Sequence, residues 1–381
     1  MAQSTSNVQR ITLHVAIKLA FSNLEQRLRG ITDLSTPYLS GAPGGGKTQS
    51  MRAEAYKRNM HFVSRNLGMA RAEEFGGIPE ISKKGDELHT TWTIPELLCE
   101  IRTKAKEKDV ICLLDDWHLS SSQIQAMGYE MFSDYTLKGY KIPKNVLIVL
   151  AGNDTAAAGA RSQFSAVMNR VSKFYVETDF EYWKHVYAYP NNISDPILSF
   201  LDTKENRPFF HGKEDVVNPW PSPRSYTNLS YMLKGLSENG LMETLSDYEE
   251  LCLYSSHIGI EAAVAFQTFH KIYRSFNTDA IFNTGKYKIP NDPINRYAFT
   301  SAISSGFYNR YDGNNKKDKN VFVKILDDLH INYPELAINS IRYMAAKDLQ
   351  IIKELTTSGK IKPALLQDLL KTSQLLSSGR Q

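Results

Sequence analysis

Gly41-Ala42-Pro43-Gly44-Gly45-Gly46-Lys47-Thr48 is the stretch on which the reading of this sequence turns. It matches G-x-x-x-x-G-K-[ST] at every fixed position, the pattern of a loop that wraps phosphate. The glycines permit positive φ and let the main chain approach an anion closely. Successive N–H groups then point into one concavity, and the helix that follows adds its partly positive N-terminus. In this pattern Gly41, Ala42, Pro43, Gly44, Gly45 and Gly46 form the cradle, Lys47 reaches the β- and γ-phosphates, and the Thr48 hydroxyl binds Mg²⁺. The flanks agree. Tyr38-Leu39-Ser40 reads as a short apolar strand, and Gln49 to Asn59 is rich in helix formers.

Working outward, Val110-Ile111-Cys112-Leu113-Leu114-Asp115-Asp116 is a continuous apolar run ending in two acids. Such runs suit a parallel strand covered on both faces. Acids at its carboxyl end lie on the edge where open α/β sheets bind ligands. This is the Walker B arrangement: Asp115 is read as the Mg²⁺ holder and Asp116 as the group that polarises the attacking water. A different metal site could be drawn from Asp115, Asp116 and His118, but no second His or Cys stands at ligand spacing. Asn145 to Ala151 is a further buried strand. It ends at Gly152-Asn153, where the Asn153 amide can orient water beside a γ-phosphate. His61 to Arg65 and Lys173 to Glu177 complete five strands, which with intervening helices make a doubly wound α/β sheet. Arg170 reads either as an ordinary surface cation or as an arginine finger acting on a neighbouring subunit's nucleotide.

The 381 residues are 42% apolar and 23% charged with a net charge of +4, an ordinary soluble composition. This charge does not mark a dedicated polyanion binder. Three dispersed cysteines argue against disulfides and a zinc site and favour a reducing cytosol. No run of about 18 apolar residues is present, so no transmembrane helix and no membrane partner are expected. The N-terminal stretch does not read as a signal peptide, so the chain is expected to stay in the cytoplasm where it is made.

Before the glycine loop, apolar residues from Val8 to Leu28 recur at helical steps. Residues 78–94 read as a hairpin, either substrate-facing or an ordinary surface insertion, followed by a helix from about 95 to 108. Residues 121–132 read as another helix. From about Asp179 strand runs vanish and helical patterns dominate. Ser222 is a plausible N-cap with Pro223 in the first turn, which puts Arg224 in that turn, able to point back at a phosphate. Later helices are expected over 246–275, 293–309, 320–329, 334–345 and 363–376. The polar loop 311–320 is expected to be mobile. Leu365, Leu366, Leu369 and Leu370 form an apolar face in the last helix.

Taken together, these residues resemble the AAA+ ATPases, in particular the MoxR-like group and its phage-encoded relatives, over about residues 10–275. Gly41 to Thr48 matches Walker A, and Leu113-Leu114-Asp115-Asp116 matches Walker B. Asn153 falls at sensor 1, Asn169-Arg170 at the arginine-finger pair, and Pro221 to Ser225 at sensor 2, with Arg224 its arginine. The resemblance implies an α/β domain over 1–180 with a hairpin insert at 78–94, a helical lid over 181–310 and a helical extension over 311–381. It also implies ATP hydrolysis with Mg²⁺ in a homo-oligomeric, usually hexameric, ring that remodels a protein client. A partner with a von Willebrand factor A domain would be a separate chain. In relatives the hairpin faces the central pore. A phage-encoded chain would work in the host cytoplasm. One departure is Asp116, where the family normally has Glu; the shorter side chain leaves an ATP-gated switch with little hydrolysis as an alternative. A nucleic-acid motor or helicase loader on the same core is the other.

Overall fold

The computed structural model describes residues 9–84, 86–153, 165–212, 214, 215, 217–313, 315–357, 365 and 367, with the side chains of 84, 165 and 166 excepted. The chain divides into two compact units, Met1–Asp179 and Phe180–Gln381.

The first unit carries the strands β1 (Arg10–Thr12), β2 (Thr36–Gly41), β3 (His61–Asn66), β4 (Pro79–Lys84), β5 (Glu87–Trp92), β6 (Val110–Asp115), β7 (Thr136–Leu137), β8 (Tyr140–Lys141), β9 (Val146–Gly152) and β10 (Val171–Glu177). Its helices are α1 (Leu13–Leu28), α2 (Lys47–Lys57), α3 (Ala72–Gly76), α4 (Glu96–Ala105), α5 (Ser122–Ser133) and α6 (Ser165–Met168). Six strands form one parallel sheet in the order β1-β10-β2-β9-β6-β3. The expected count of five is therefore corrected to six. Arg10–Thr12, read from its spacing as the start of a helix, pairs instead with Tyr175–Glu177. Three residues at a sheet edge are too few to show a two-residue period, and the helical stripe that follows masked them.

The side chains alternate between two buried faces, which is why β6 and β9 are apolar at nearly every position. Ile111, Leu113, Leu147, Val149 and Ala151 pack on one face with Ala16, Ile17, Phe21 and Leu24 of α1 and Met51 and Ala55 of α2. Val110, Cys112, Leu114, Ile148 and Leu150 pack on the other with α4 and α5. Burial pushes the Cys112 thiol up to about 12, so it acts as a small core residue. β4 and β5 form an antiparallel hairpin with Ile81 and Leu88 exposed. The Tyr140 hydroxyl donates to the Trp92 carbonyl at 2.9 Å, and the Lys138 ammonium lies 4.3 Å from the centre of the Trp92 ring.

The described residues of the second unit are helical and irregular, without strands. Its helices are α7 (Phe180–Trp183), α8 (Asp195–Asp202), α9 (Pro223–Glu238), α10 (Asp247–Ile258), α11 (Ile260–Ser275), α12 (Thr278–Thr284), α13 (Pro293–Arg310), α14 (Lys316–Asn332), α15 (Pro334–Lys347) and α16 (Leu349–Thr357). The single helix expected over 246–275 is two, broken at Gly259, whose φ of 73° leaves the helical region. The loop expected over 311–320 is shorter, because α14 starts at Lys316 with the Asn315 side chain accepting from the Asp318 N–H. Leu365 is buried, while Leu366, Leu369 and Leu370 of the expected last helix lie outside the described residues. No helix among the described residues is long and apolar enough to cross a membrane.

Candidate functional site

The glycine loop follows the carboxyl end of β2, and α2 begins at Lys47. Gly44 and Gly46 have φ of 73° and 84°, the left-handed values that turn main-chain N–H groups into a concave anion cradle. The loop is pinned from the residue that follows β10, since Thr178 Oγ1 donates to the Gly45 carbonyl at 2.7 Å. Gly41 is fixed sterically: a Cβ there would lie 2.6 Å from the Val176 carbonyl oxygen. Lys47 is buried, its ammonium donating to the Gly41 and Ala42 carbonyls at 2.8 and 3.0 Å and to Asn153 Oδ1 at 3.4 Å.

The parallel sheet brings the ends of β6, β9 and β3 beside this loop. The Thr48 hydroxyl donates to Asp115 Oδ2. A hydroxyl and a carboxylate already converge there, a hard oxygen pair that fits Mg²⁺ supplemented by phosphate oxygens and water. Asp116 has φ 53° and ψ 37°, a left-handed conformation uncommon outside glycine, and its N–H donates to Asp115 Oδ1 at 3.0 Å. Its carboxylate accepts from Asn66 Nδ2 at 2.8 Å. Asn66 is itself oriented: its Oδ1 accepts from the Gly68 N–H at 3.0 Å, which turns the amide nitrogen toward Asp116.

Lys47, Thr48, Asp115, Asp116 and Asn153 are thus brought together at one sheet edge. Arg170 is not among them. It precedes β10, level with the start of β2, where the Thr36 N–H donates to its carbonyl. The six residues of β2 separate that edge from the loop, a span of about 20 Å at about 3.3 Å per residue. The Arg170 guanidinium donates to Ser133 and to the Tyr129 hydroxyl and lies 3.9 Å from the centre of the Tyr129 ring. Arg224 belongs to the second unit, exposed as the second residue of α9, whose Ser222 cap accepts from the Ser225 N–H at 3.2 Å.

The alternative metal site at Asp115, Asp116 and His118 is not formed. Among the described residues no group of three or more His, Cys, Asp or Glu could hold a metal. His118 instead turns its Nδ1 to the Asn153 N–H, 3.3 Å away. Asn66 and Thr178 were not read from the sequence as site residues. Asn66 carries only a weaker form of the signal at Asn153: it is a polar amide ending a parallel strand, but β3 is an edge strand in which Val63 alone is buried.

No protein-family model matches this chain, and no curated protein does. Among solved structures, the RuvB Holliday junction branch migration motor of Thermotoga maritima is similar at 11% identity over 71% of this chain and 80% of that one, with a TM-score of 0.36. The S. cerevisiae Hsp104:casein complex is similar at 13% identity over 62% of this chain and 46% of that one, with a TM-score of 0.39. The likeness is weak in both identity and TM-score.

Proposed function

We propose that this chain is an ATP-hydrolysing AAA+ protein of the MoxR-like kind, a ring-forming remodelling ATPase acting on a protein client. The observation that carries the reading is the convergence of Lys47, Thr48, Asp115 and Asn153 around a left-handed glycine cradle. In this reading the main-chain N–H groups of the loop, Pro43 having none, and the start of α2 bind the phosphates, and Lys47 exchanges its carbonyl partners for phosphate oxygens. Mg²⁺ held by Thr48 and Asp115 would neutralise charge on the phosphates. Asp116 takes a proton from, or polarises, the attacking water, and Asn153 orients it. Arg170 lies about 20 Å from its own loop at the opposite sheet edge, which supports action on another copy's nucleotide. Arg224, in the first turn of α9, keeps the sensor 2 role that the sequence resemblance gives it, a cation for the γ-phosphate.

A second reading is an ATP-gated switch that hydrolyses slowly. It is favoured by the hydrogen bond that ties Asp116 to Asn66 and by the short reach of an Asp in this position. Steady-state ATPase assays at ring-forming concentrations separate the two. Turnover by the wild type, lost in Lys47→Ala and Asp116→Asn, supports the enzyme. Tight ATP binding without turnover supports the switch. Arg170→Ala should bind nucleotide yet lose about 10³–10⁵ in rate. Mixing Arg170→Ala with Asp116→Asn subunits should restore part of it, because one subunit lends its arginine to a site with an intact Asp116. Unchanged hydrolysis by Arg170→Ala would remove the finger assignment.

A further inference from the structure

We propose that His118 is a positioning residue that locks the main chain at Asn153 to the turn carrying Asp116. The inference rests on the ATPase reading above for its purpose, while the contact itself stands on the geometry of the first unit.

Two polar groups flank the space beside the loop, Asp116 after β6 and Asn153 after β9. Strand pairing fixes β6 to β9 only as far as Leu114 and Leu150. Beyond that register each end pairs away from the other, Gly152 with Ser40 of β2 and Asp115 with Asn66 of β3, so no strand pairing ties Asp116 to Asn153 directly. His118 bridges this gap. It sits in the single 3-10 turn Trp117–Leu119 that follows Asp116, closed by the Leu119 N–H donating to the Asp116 carbonyl at 2.9 Å. The residue is 3% exposed, and its Nδ1 accepts from the Asn153 N–H at 3.3 Å. That contact requires the neutral tautomer with the proton on Nε2. The same Asn153 side chain accepts from Lys47 at 3.4 Å, so the lock extends to the loop lysine.

The turn is itself immobilised. Trp117 is 1% exposed and packs edge-on against Phe132 of α5 with ring centres 5.3 Å apart. Gly128 admits it: a Cβ there would lie 2.6 Å from the Trp117 ring. The Ser120 hydroxyl donates back to the Trp117 carbonyl at 2.6 Å. Gly152 serves the same end from the other strand, since a Cβ at that position would lie 3.1 Å from His118 Nδ1 and 2.6 Å from the Tyr38 hydroxyl. The ring therefore meets the Asn153 amide across a position where no side chain intervenes.

The test compares His118→Asn, His118→Gln and His118→Leu with the wild type. Asn places an acceptor oxygen near the position of Nδ1, whereas Gln places its amide nearer Nε2 and Leu has no acceptor. Gln matches the volume of His better than Asn does, so a packing role ranks Gln above Asn and a positioning role ranks Asn above Gln. Two readouts are taken: single-turnover ATP hydrolysis with nucleotide affinity, and hydrogen exchange at the Asn153 amide. The expected result is hydrolysis within about threefold of wild type for Asn, and at least about tenfold slower for Gln and Leu, with affinity held within about threefold in all. Asn153 exchange should quicken in Gln and Leu and stay slow in Asn. Equal hydrolysis and exchange in all four proteins, or Gln outperforming Asn, overturns the proposal. A wild type that never hydrolyses ATP overturns the ATPase reading and the purpose assigned here, while unchanged Asn153 exchange in His118→Leu overturns the lock by itself.

Discussion

Gly152→Ala is the perturbation that the geometry of the site makes most quantitative. The added Cβ would meet the Tyr38 hydroxyl at 2.6 Å, the Tyr38 Cε2 at 3.2 Å and His118 Nδ1 at 3.1 Å. Ordinary contact needs about 3.5 Å, so the Tyr38 hydroxyl must retreat by roughly 0.9 Å. It has nowhere to go, since Tyr38 is fully buried on β2 and His118 is 3% exposed. Overpacking of this kind costs about 1–3 kcal/mol, and a broken His118–Asn153 hydrogen bond adds about 1 kcal/mol. The sum, roughly 2–4 kcal/mol, lowers the melting temperature of a unit of this size by roughly 4–16 °C. Displacing Asn153 by a few tenths of an ångström to 1 Å should also slow kcat by about tenfold to a hundredfold with nucleotide affinity little changed. Thermal unfolding followed by circular dichroism and single-turnover hydrolysis measure the two effects. Tyr38→Phe in the same chain removes the closest contact and should recover at least half of the lost stability. A Gly152→Ala protein that melts and turns over like wild type, or a double variant no better than the single one, refutes the steric account.

Three further outcomes follow from the structure. His270 is buried against Tyr254 and beside Arg274, and burial holds its pKa down to about 3 against 6.5 when unfolded. Its neutral form is therefore favoured by folding: the contribution is whole above pH 6.5 and is lost as pH falls toward 3, about 1.4 kcal/mol by pH 5.5. Urea unfolding of the helical unit at pH 7.5 and 5.5 should show that loss in the wild type and not in His270→Asn. Lys184→Met strands the buried Asp202, whose carboxylate now accepts from Lys184 at 2.6 and 2.7 Å, and should cost about 3–5 kcal/mol in the same assay. Arg207, 3.6 Å from Asp202, keeps the loss near the lower end, and Lys184→Met with Asp202→Leu should recover most of it. Thr48→Val replaces the hydroxyl that donates to Asp115 and should weaken Mg²⁺-dependent nucleotide binding by about tenfold to a hundredfold. Binding in excess EDTA should be unaffected, which a fluorescent-nucleotide titration would check.

The parallel sheet was legible because its central strands are buried on both faces and so are apolar throughout, as Val110–Leu114 and Val146–Ala151 are. The outer strands carry a weaker signal. β1 has three residues and no inward face long enough to register, so it read as the first turn of α1. The break at Gly259 was visible as a residue and invisible as a break, because Ile258 and Ala262 keep the helical stripe in phase across it. Glycine in a helix costs about 1 kcal/mol, which a strong flanking pattern outweighs in any reading by periodicity. What decides the matter is tertiary: a Cβ at 259 would lie 2.6 Å from the Pro219 carbonyl oxygen.

The site was legible wherever one residue type at one spacing has a single chemical use, as in the run from Gly41 to Thr48. It was not legible where a residue acts on another that the sheet order alone brings near. Asn66 precedes Asp116 by fifty positions, and nothing in either neighbourhood announces the pair. His118 lies three residues from Asp115, so sequence spacing suggested a ligand set, whereas the strand order places its ring against Asn153. The contacts read in space as one chain: Asn66 to Asp116, Asp116 through its turn to His118, His118 to Asn153, Asn153 to Lys47, and Lys47 to the loop carbonyls. This bears on the shorter carboxylate at 116. A residue with φ near 53° aims its side chain differently from one in an extended strand, so the reach of Asp116 is set by its turn as much as by its length. Lengthening the side chain in Asp116→Glu without altering the turn would push the carboxylate past the Asn66 amide. Coupled residues of this kind are expected to be non-additive, so Asp116→Glu should change hydrolysis by a different factor in an Asn66→Ala background than in the wild type. Equal factors in the two backgrounds would mean that Asn66 does not set the position of the carboxylate.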